Sequence, residues 1–261
     1  MSFKIVLTIA GSDPGGGAGI QADLKTFTVL GVYGASVITS VTAQSPNRIT
    51  GIFDLPAWFV ELQLYTVLSD IPVNVIKTGM LSSSEIIEVV VKTLKKFKKE
   101  KIIVDPVMVS KTGIRLLKKD AEESLKNLLI PGAYVVTPNI YEAERITQMR
   151  IENIEDMKKA AKIIHGMGAR NVVIKGGHLK QGADDILYNG KEFILFKGEK
   201  IKTKPPHGTG CTYASAIASF IAKGYSIRES VENAKKFITQ AIKKAFFIGK
   251  GSPVLPLFKQ K

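Results

Sequence analysis

The chain is poor in cysteine, since Cys211 is the only one among 261 residues. A single cysteine excludes an internal disulfide and suits a reducing cytosol, so we expect a cytoplasmic protein. No apolar run approaches the roughly 20 residues that a bilayer span needs. The first apolar run, residues 5–10, ends at once in Gly11-Ser12-Asp13-Pro14. We therefore expect neither a signal peptide nor contact with a membrane.

Several common motifs are also missing. The glycine-rich segment 11–19 is not a G-x-G-x-x-G dinucleotide motif, because residue 20 is isoleucine, and it lacks the G-K-[ST] ending of a P-loop. The histidines and the cysteine form no zinc-site pattern. No linker, repeat or low-complexity tract divides the chain. The sequence therefore predicts one domain over residues 1–261.

Composition and charge narrow the class of protein. With 45% hydrophobic and 23% charged residues, the chain can bury a substantial core, which excludes disordered and fibrous classes. The net charge, 37 − 23 = +14, favours nucleic acid, an acidic surface or a phosphorylated small molecule as partner. No basic motif interleaved with aromatic residues is present, so we expect no nucleic-acid partner.

Short Val- and Ile-rich runs alternate with segments of helical period, which is typical of an α/β fold with a mostly parallel sheet. We predict strands near residues 4–10, 35–43, 73–77, 101–104, 133–137 and 172–175. We predict helices near residues 19–30, 57–69, 84–99, 120–129, 141–147, 154–167, 209–223 and 227–247. The Asn189-Gly190 turn predicts a hairpin of residues 185–188 and 192–196, a short antiparallel edge.

Ligands of such sheets collect where strands end and loops begin. Segment 11–19 follows the first strand and has five glycines before a helix, which favours a loop that covers a ligand over a plain turn. Gly208-Thr209-Gly210-Cys211 stands directly before an apolar helix. Free amides at that helix start predict an anion hole for a phosphoryl group in transit. The same helix end is expected to lower the pKa of Cys211, which could then act as a base.

Oxygen ligands and a lysine follow three later strands. Asp105, Asn139 and Glu142 predict a Mg²⁺ site, although Asn139 and Glu142 are also spaced as a helix capping box. Lys175, before Gly176-Gly177, is either a solvated turn residue or a cation directed at phosphate. His178 stays open between a site role and a loop role, and His165 is interpreted as structural.

Together these segments closely resemble the ribokinase-like superfamily, and within it the hydroxymethylpyrimidine/phosphomethylpyrimidine kinases of thiamine biosynthesis. The resemblance covers nearly the whole chain. It rests on residues 8–14, 19–27, 77–81, 105–108, 137–143, 175–178 and 207–211. It implies a three-layer α/β/α domain with a mostly parallel central sheet, and a homodimer.

The resemblance also implies a reaction. ATP would phosphorylate the hydroxymethyl oxygen of 4-amino-5-hydroxymethyl-2-methylpyrimidine, and then the monophosphate. The pyrimidine would lie near Gly11, Ala18, Asp23, Gln44, Met80 and Val107. The γ-phosphoryl would lie over Gly208, Thr209 and Gly210, with Cys211 as base and Lys175 on the phosphates. Asp105, Asn139 and Glu142 would organise Mg²⁺ and its waters.

Three alternatives remain at this stage. The nearest is a pyridoxal or pyridoxine kinase, because relatives with the same Gly-Thr-Gly-Cys turn phosphorylate that hydroxymethyl pyridine. The others are a non-catalytic nucleotide sensor on the same fold and a nucleic-acid-binding protein driven by the +14 charge. Gly15 stands where the family often has serine, and Pro206 where threonine is usual, which concerns nucleotide affinity more than reaction type.

Overall fold

The structure, a computed structural model, describes residues 3–110, 113–179 and 182–258. Its strands are β1 Ile5–Ser12, β2 Tyr33–Gln44, β3 Ile49–Asp54, β4 Val75–Thr78, β5 Ile102–Val104, β6 Val135–Val136, β7 Val172–Ile174, β8 Asp185–Tyr188 and β9 Phe193–Phe196. Its helices are α1 Gly19–Val29, α2 Ala57–Asp70, α3 Ser84–Lys96, α4 Ala121–Ser124, α5 Ile140–Thr147, α6 Ile154–Gly166, α7 Thr209–Ala222 and α8 Ile227–Lys243.

The strands of the described residues form one sheet, in the order β3-β2-β1-β4-β5-β6-β7-β8-β9. The central strands from β2 to β7 pair in parallel, as the alternating pattern predicts. The predicted hairpin of β8 and β9 adds antiparallel strands to one edge. The opposite edge also ends in an antiparallel strand, β3, which the sequence analysis did not predict.

Alternate residues of the central strands point to opposite faces of the sheet. Val6 and Val173 pack into a core with α1, α7 and α8, whereas Leu7 and Ile174 pack into a core with α2, α3, α5 and α6. Both faces of the sheet are therefore covered by helices. This confirms the expected three-layer α/β/α architecture.

Side-chain caps begin half of these helices, namely α3, α5, α6 and α8. The Ser83 side chain accepts a hydrogen bond from the Ile86 amide at the start of α3, and Lys95 and Lys96 lie in its last turn, where they complement the helix dipole. The predicted helix over 120–129 is correct only in part. After α4 the backbone widens into a π-helical turn, Leu125–Leu129. It then tightens into a 3-10 turn, Ile130–Gly132, which contains Pro131.

Within the described ranges, none of the helices has the length and apolar character to cross a membrane. The parallel strands place their carboxyl ends along one edge of the sheet. The loops that follow β1, β4, β5, β6 and β7 therefore meet there and form the site.

Candidate active site

A cavity of about 740 Å³ opens at the carboxyl edge of the sheet. Most of the residues that the sequence analysis selected line it. These are Gly11, Ala18, Gln44, Met80, Asp105, Val107, Asn139, Glu142, Lys175, Gly208, Thr209, Gly210 and Cys211. The structure thus brings segments from the whole length of the chain to one place.

The glycine-rich loop after β1 is organised by Asp13, whose role the sequence analysis missed. One carboxylate oxygen of this buried residue accepts a hydrogen bond from the Gly15 amide (2.9 Å), and the other accepts from the amides of Gly17 (3.1 Å) and Ala18 (2.8 Å). Burial alone would raise the pKa of Asp13, but hydrogen bonds from His207 and Ala18 outweigh it and lower the pKa. An aspartate directly before Pro14 and three glycines was the available signal.

The loop before α7 lies against the glycine-rich loop. Gly208 adopts φ +79°, and a Cβ at this position would overlap the Gly17 carbonyl. The first N–H groups of a helix have no acceptor within the helix, so the start of α7 presents donors to the cavity. A Cβ on Gly210 would lie 3.3 Å from Lys175 Nζ and 3.9 Å from Asp105 Oδ2. The turn is therefore adjacent to both charged groups and has the geometry of an anion site.

Cys211 lines this cavity, but the expected lowering of its pKa is wrong. Burial raises the pKa of the thiol to about 11. The positive charge of Lys77 opposes the rise, and the negative charges of Asp105 and Asp23 add to it. The lost hydration of a thiolate therefore outweighs the favourable end of α7. The side chain lines the cavity, but with this pKa it is protonated at neutral pH.

A lysine and two carboxylates lie beside the start of α7. Lys175 Nζ is 3.0 Å from Asp105 Oδ1, and Asp105 is 2% exposed. Burial lowers the pKa of Lys175, but the charges of Asp105 and Glu142 outweigh it, so the pKa is raised and the lysine is a cation. Lys175 is therefore not a solvated turn residue, because its side chain is only 14% exposed and is paired with Asp105. Its role as a cation directed at phosphate stays a prediction.

Asn139 and Glu142 do form the capping box that the spacing allowed. Asn139 Oδ1 accepts from the Glu142 amide (2.9 Å), and Glu142 Oε2 accepts from the Asn139 amide (2.8 Å). Burial raises the pKa of Glu142 to about 7; Lys175 opposes this shift and Asp105 adds to it. Both residues still line the cavity, so the cap also holds them at the site.

The two carboxylates suit a Mg²⁺ ion better than a transition metal. No group of three or more His, Cys, Asp or Glu side chains that could hold a metal occurs in the part of the chain that the structure describes. Mg²⁺ needs only one or two carboxylates when substrate phosphates and waters complete its shell. Asp105 and Glu142 repel each other in a buried place, and a divalent cation would relieve that repulsion. The donor set therefore fits this ion.

Asp23, which was predicted to contact the substrate, does not reach the cavity. It is fully buried and does not belong to the cavity lining. Its Oδ2 is 2.8 Å from Lys77 Nζ and accepts from Thr8 Oγ1 (2.7 Å), and its Oδ1 accepts from Ser215 Oγ (2.7 Å). The predicted substrate contact is corrected to a buried ion pair beneath the cavity. Lys77, a charged residue inside an apolar strand, was the overlooked signal.

Of the histidines His178 and His165, only His178 lines the cavity. His178 lines the cavity and packs against Tyr141 with ring centroids 4.7 Å apart, and burial lowers its pKa. His165 packs edge-on against Tyr188 and lies outside the cavity lining, in agreement with a structural role.

A parallel sheet between helices, amide donors at the start of α7, a largely buried lysine and two carboxylates define a phosphotransferase of the ribokinase-like fold. The family model described as phosphomethylpyrimidine kinase matches residues 13–255. The chain belongs to this family.

Individual relatives agree. The thiamine biosynthesis bifunctional protein of Geobacter sulfurreducens is 52% identical over 94% of this chain, and the chain spans about half (50%) of that relative's length. A solved phosphomethylpyrimidine kinase from Clostridium difficile 630 superposes with a TM-score of 0.83 at 48% identity, covering 91% of this chain and 99% of the other. The pyridoxal kinase of Bacillus subtilis, solved with ADP, gives a TM-score of 0.91 at 40% identity over 97% of each chain.

Proposed function

We propose that residues 1–261 act as a single kinase domain in thiamine biosynthesis. The domain transfers the γ-phosphoryl group of ATP to 4-amino-5-hydroxymethyl-2-methylpyrimidine, and then a second phosphoryl group to the monophosphate. The observation that carries the proposal is one cavity lined by two chemically different sets of residues. The helix start with Cys211, Lys175 and two carboxylates forms one set, here called the phosphoryl end, and Gln44, Met80 and Val107 form the other, here called the ring end.

The second end suits a flat, polar ring. Gln44 offers both a donor and an acceptor, which matches the edge of an aminopyrimidine. Met80 and Val107 supply apolar contact for the ring face. Gly11 leaves room for Met80 in the cavity wall, because a Cβ at this position would lie 3.2 Å from Met80 Sδ.

The phosphoryl end supplies positioning and charge. In the first transfer the hydroxymethyl oxygen gives its proton to the thiolate form of Cys211, which is the minor form at neutral pH because the pKa is about 11. The oxygen bonds to the γ-phosphorus, while the bond from that phosphorus to the ADP oxygen breaks. The amides of residues 208–211 receive the charge that develops on the moving phosphoryl oxygens. Lys175 holds the phosphates. In the second transfer the acceptor phosphate is already anionic, so Cys211 contributes less.

Mg²⁺ would be held by Asp105 and Glu142, with Asn139 fixing Glu142 through the capping box. When bound, the ion would neutralise charge on the phosphates. The ion pair of Lys175 with Asp105 keeps the lysine beside the same phosphates.

A pyridoxal or pyridoxine kinase is the second candidate, favoured by the close superposition on the Bacillus subtilis pyridoxal kinase. Incubation of the protein with Mg²⁺-ATP and each alcohol, with the products identified by mass, separates the two. We expect the mono- and diphosphate of the pyrimidine. Turnover of pyridoxine with none of the pyrimidine would reject the first candidate, and no ATP turnover at all would leave a nucleotide sensor.

We also propose a cytoplasmic homodimer. Exposed apolar side chains lie on α2, which packs on β2, and on the neighbouring edge strand β3. Trp58 and Leu62 are 66% and 51% exposed, and Phe53 is 67% exposed. Such a concentration of apolar surface marks an interaction site more often than a free surface.

A further inference from the structure

A second hydrogen-bond network joins His207, the residue before Gly208, to Gln44 in the cavity lining. The Nε2 atom of His207 is 3.0 Å from Asp13 Oδ2 and 3.0 Å from the terminal amide of Gln44. The other end of that amide is 3.2 Å from Thr42 Oγ1, and Thr42 Oγ1 donates to the Ser12 carbonyl at 2.9 Å. Both His207 and Gln44 line the cavity.

The protons of this network determine its arrangement. The Asp13 carboxylate can only accept, so Nε2 of His207 carries the hydrogen between them. That N–H cannot accept a second hydrogen bond from the NH₂ group of Gln44. Thr42 has one hydroxyl hydrogen, which it donates to the Ser12 carbonyl. Thr42 Oγ1 can therefore only accept a hydrogen bond from Gln44.

The amide of Gln44 is placed with its nitrogen toward His207 and its oxygen toward Thr42. In that rotation the Gln44 N–H faces the His207 Nε2–H, so two donors oppose each other. Gln44 Oε1 faces Thr42 Oγ1, whose hydrogen is already donated to the Ser12 carbonyl, so two acceptors oppose each other. The reverse rotation satisfies every group, because His207 Nε2–H then donates to both Asp13 and Gln44 Oε1, while Gln44 Nε2 donates to Thr42. Since amide oxygen and nitrogen have the same shape, the hydrogen bonds decide between the two rotations.

We propose that His207 is a positioning residue that fixes the rotation of the Gln44 amide, and through it the ring that the site accepts. The proposal deepens the proposed function and rests on it for the identity of the ring. With its oxygen held by His207 and its nitrogen by Thr42, Gln44 keeps one N–H and one lone pair for the substrate. An aminopyrimidine has an acceptor, the ring nitrogen, beside a donor, the amino group. One rotation of the amide therefore selects one orientation of the ring.

The imidazole is itself held from several sides. The His207 amide donates to the Pro253 carbonyl at 2.8 Å. Gly17 leaves room for the ring, because a Cβ at that position would lie 2.6 Å from His207 Cδ2. The glycine-rich loop, the turn before α7 and Gln44 are thus joined through a single side chain. The orientation that Gln44 imposes on the ring is thereby tied to the position of the phosphoryl end.

The proton on His207 can be observed directly. Nitrogen-15 chemical shifts of the imidazole in the full-length, substrate-free protein at neutral pH report which ring nitrogen carries hydrogen. The chain has three histidines, and the signal that disappears in His207→Gln is assigned to His207. We expect a protonated Nε2. An unprotonated Nε2 overturns the network.

The functional consequence is tested by a double-mutant cycle of His207→Leu with Gln44→Leu. We expect His207→Leu to raise the KM for the aminopyrimidine about ten-fold, the effect of one lost hydrogen bond, with the KM for ATP changed less than about two-fold. In the Gln44→Leu background, His207→Leu should add nothing. An equal rise of the aminopyrimidine KM in both backgrounds, or of both KM values, overturns the role through Gln44.

Conservative variants separate this role from a purely structural one. The amide nitrogen of His207→Gln reaches the place of Nε2, so this variant should restore the aminopyrimidine KM to within about three-fold of wild type. His207→Asn is too short and should behave like His207→Leu, which keeps the comparison open if the leucine variant does not fold. Failure of the glutamine variant to restore KM contradicts the proposal. If the wild-type protein makes no pyrimidine phosphate, the proposed function fails, and the Nε2 signal still decides the network.

Discussion

Among single residues, Cys211 combines a position at the phosphoryl end of the cavity with a thiol that burial keeps protonated. The pKa of about 11 means that the thiolate fraction rises about ten-fold for each pH unit across the neutral range. If Cys211 is the base of the first transfer, the observed rate must follow that fraction.

Cys211→Ala should therefore lower kcat for the free alcohol by about 10²-fold or more, with a smaller loss on the monophosphate. In the wild-type protein, kcat/KM for the alcohol should rise between about pH 7 and pH 9, and the profile of the variant should be flat. Steady-state rates over this range provide the check. Near wild-type rates of the variant on the alcohol would end the role of Cys211 as base.

Glu142 gives a second pH dependence, which also comes from a pKa that burial raises. Burial raises the pKa of its carboxyl to about 7, so a large share is neutral at neutral pH, and only the ionised form binds Mg²⁺ well. We expect the KM for Mg²⁺-ATP to fall as pH rises from about 6 to about 8. In Glu142→Gln this KM should be higher and independent of pH, while pyrimidine affinity changes little.

The glutamine variant keeps the helix start, because glutamine also serves in a capping box. Glu144→Gln is a matched control on the same helix, since Glu144 accepts from the Ile151 amide and does not line the cavity. Equal losses of Mg²⁺-ATP and pyrimidine binding in Glu142→Gln would count against the metal assignment.

At the level of elements, the start of α7 depends on a glycine that fits between two loops. Gly208→Ala must place a side chain at φ +79° and against the Gly17 carbonyl. The unfavourable φ and the clash both lower the free energy of unfolding, and we expect the clash to contribute about 1–3 kcal/mol of that loss. We also expect a strong loss of kcat.

Gly224→Ala is the matched control. Gly224 also has a positive φ, +95°, but a Cβ there meets no atom within 4 Å. Its cost should be about 1 kcal/mol in a denaturant titration, with normal kcat. If both variants lose the same stability and both stay active, the close approach of the two loops has no catalytic importance.

Four elements meet at the buried ion pair beneath the cavity. Asp23 of α1 is bound by Lys77 of β4, Thr8 of β1 and Ser215 of α7. Lys77→Met leaves a buried carboxylate without its cation, so we expect a loss of about 3–5 kcal/mol in the free energy of unfolding. The double variant with Asp23→Leu should recover part of that loss. A cost of the single variant below about 1 kcal/mol would show that the pair is not needed for stability.

Sequence patterns predicted the central strands because their apolar runs are buried on both faces. They did not predict β3, which is largely exposed and contains Gly51, so it lacks the alternation of a half-buried strand. Cavity-lining residues were predictable because they follow strands. The contacts between them were not, since Asp13 and His207 are 194 residues apart and meet only in the folded chain. The predicted lowering of the Cys211 pKa was wrong for the same reason, because the burial that raises this pKa exists only in the folded chain.

For the whole molecule, the exposed apolar surface of α2 and β3 predicts self-association. Trp58→Glu should convert a dimer into a monomer of about 28.4 kDa, measured by light scattering after size-exclusion chromatography. Ile163→Glu is the control, because Ile163 is also exposed (42%) but lies on α6, which packs on β7 and β8 near the edge of the sheet opposite to β3. A wild-type monomer, or dissociation by both variants, would reject this interface.

The amino-terminal ends of the parallel strands lie away from the cavity, because the cavity is at their carboxyl ends. The turns at Gly31, at residues 97–101 and at residues 167–171 connect helices back to strands there, and none of them lines the cavity. Dyes, affinity tags or short peptide insertions placed in these turns would therefore report on the enzyme without obstructing it. Over evolutionary time, the same turns are free to vary in length and composition while the opposite edge is held to its chemistry.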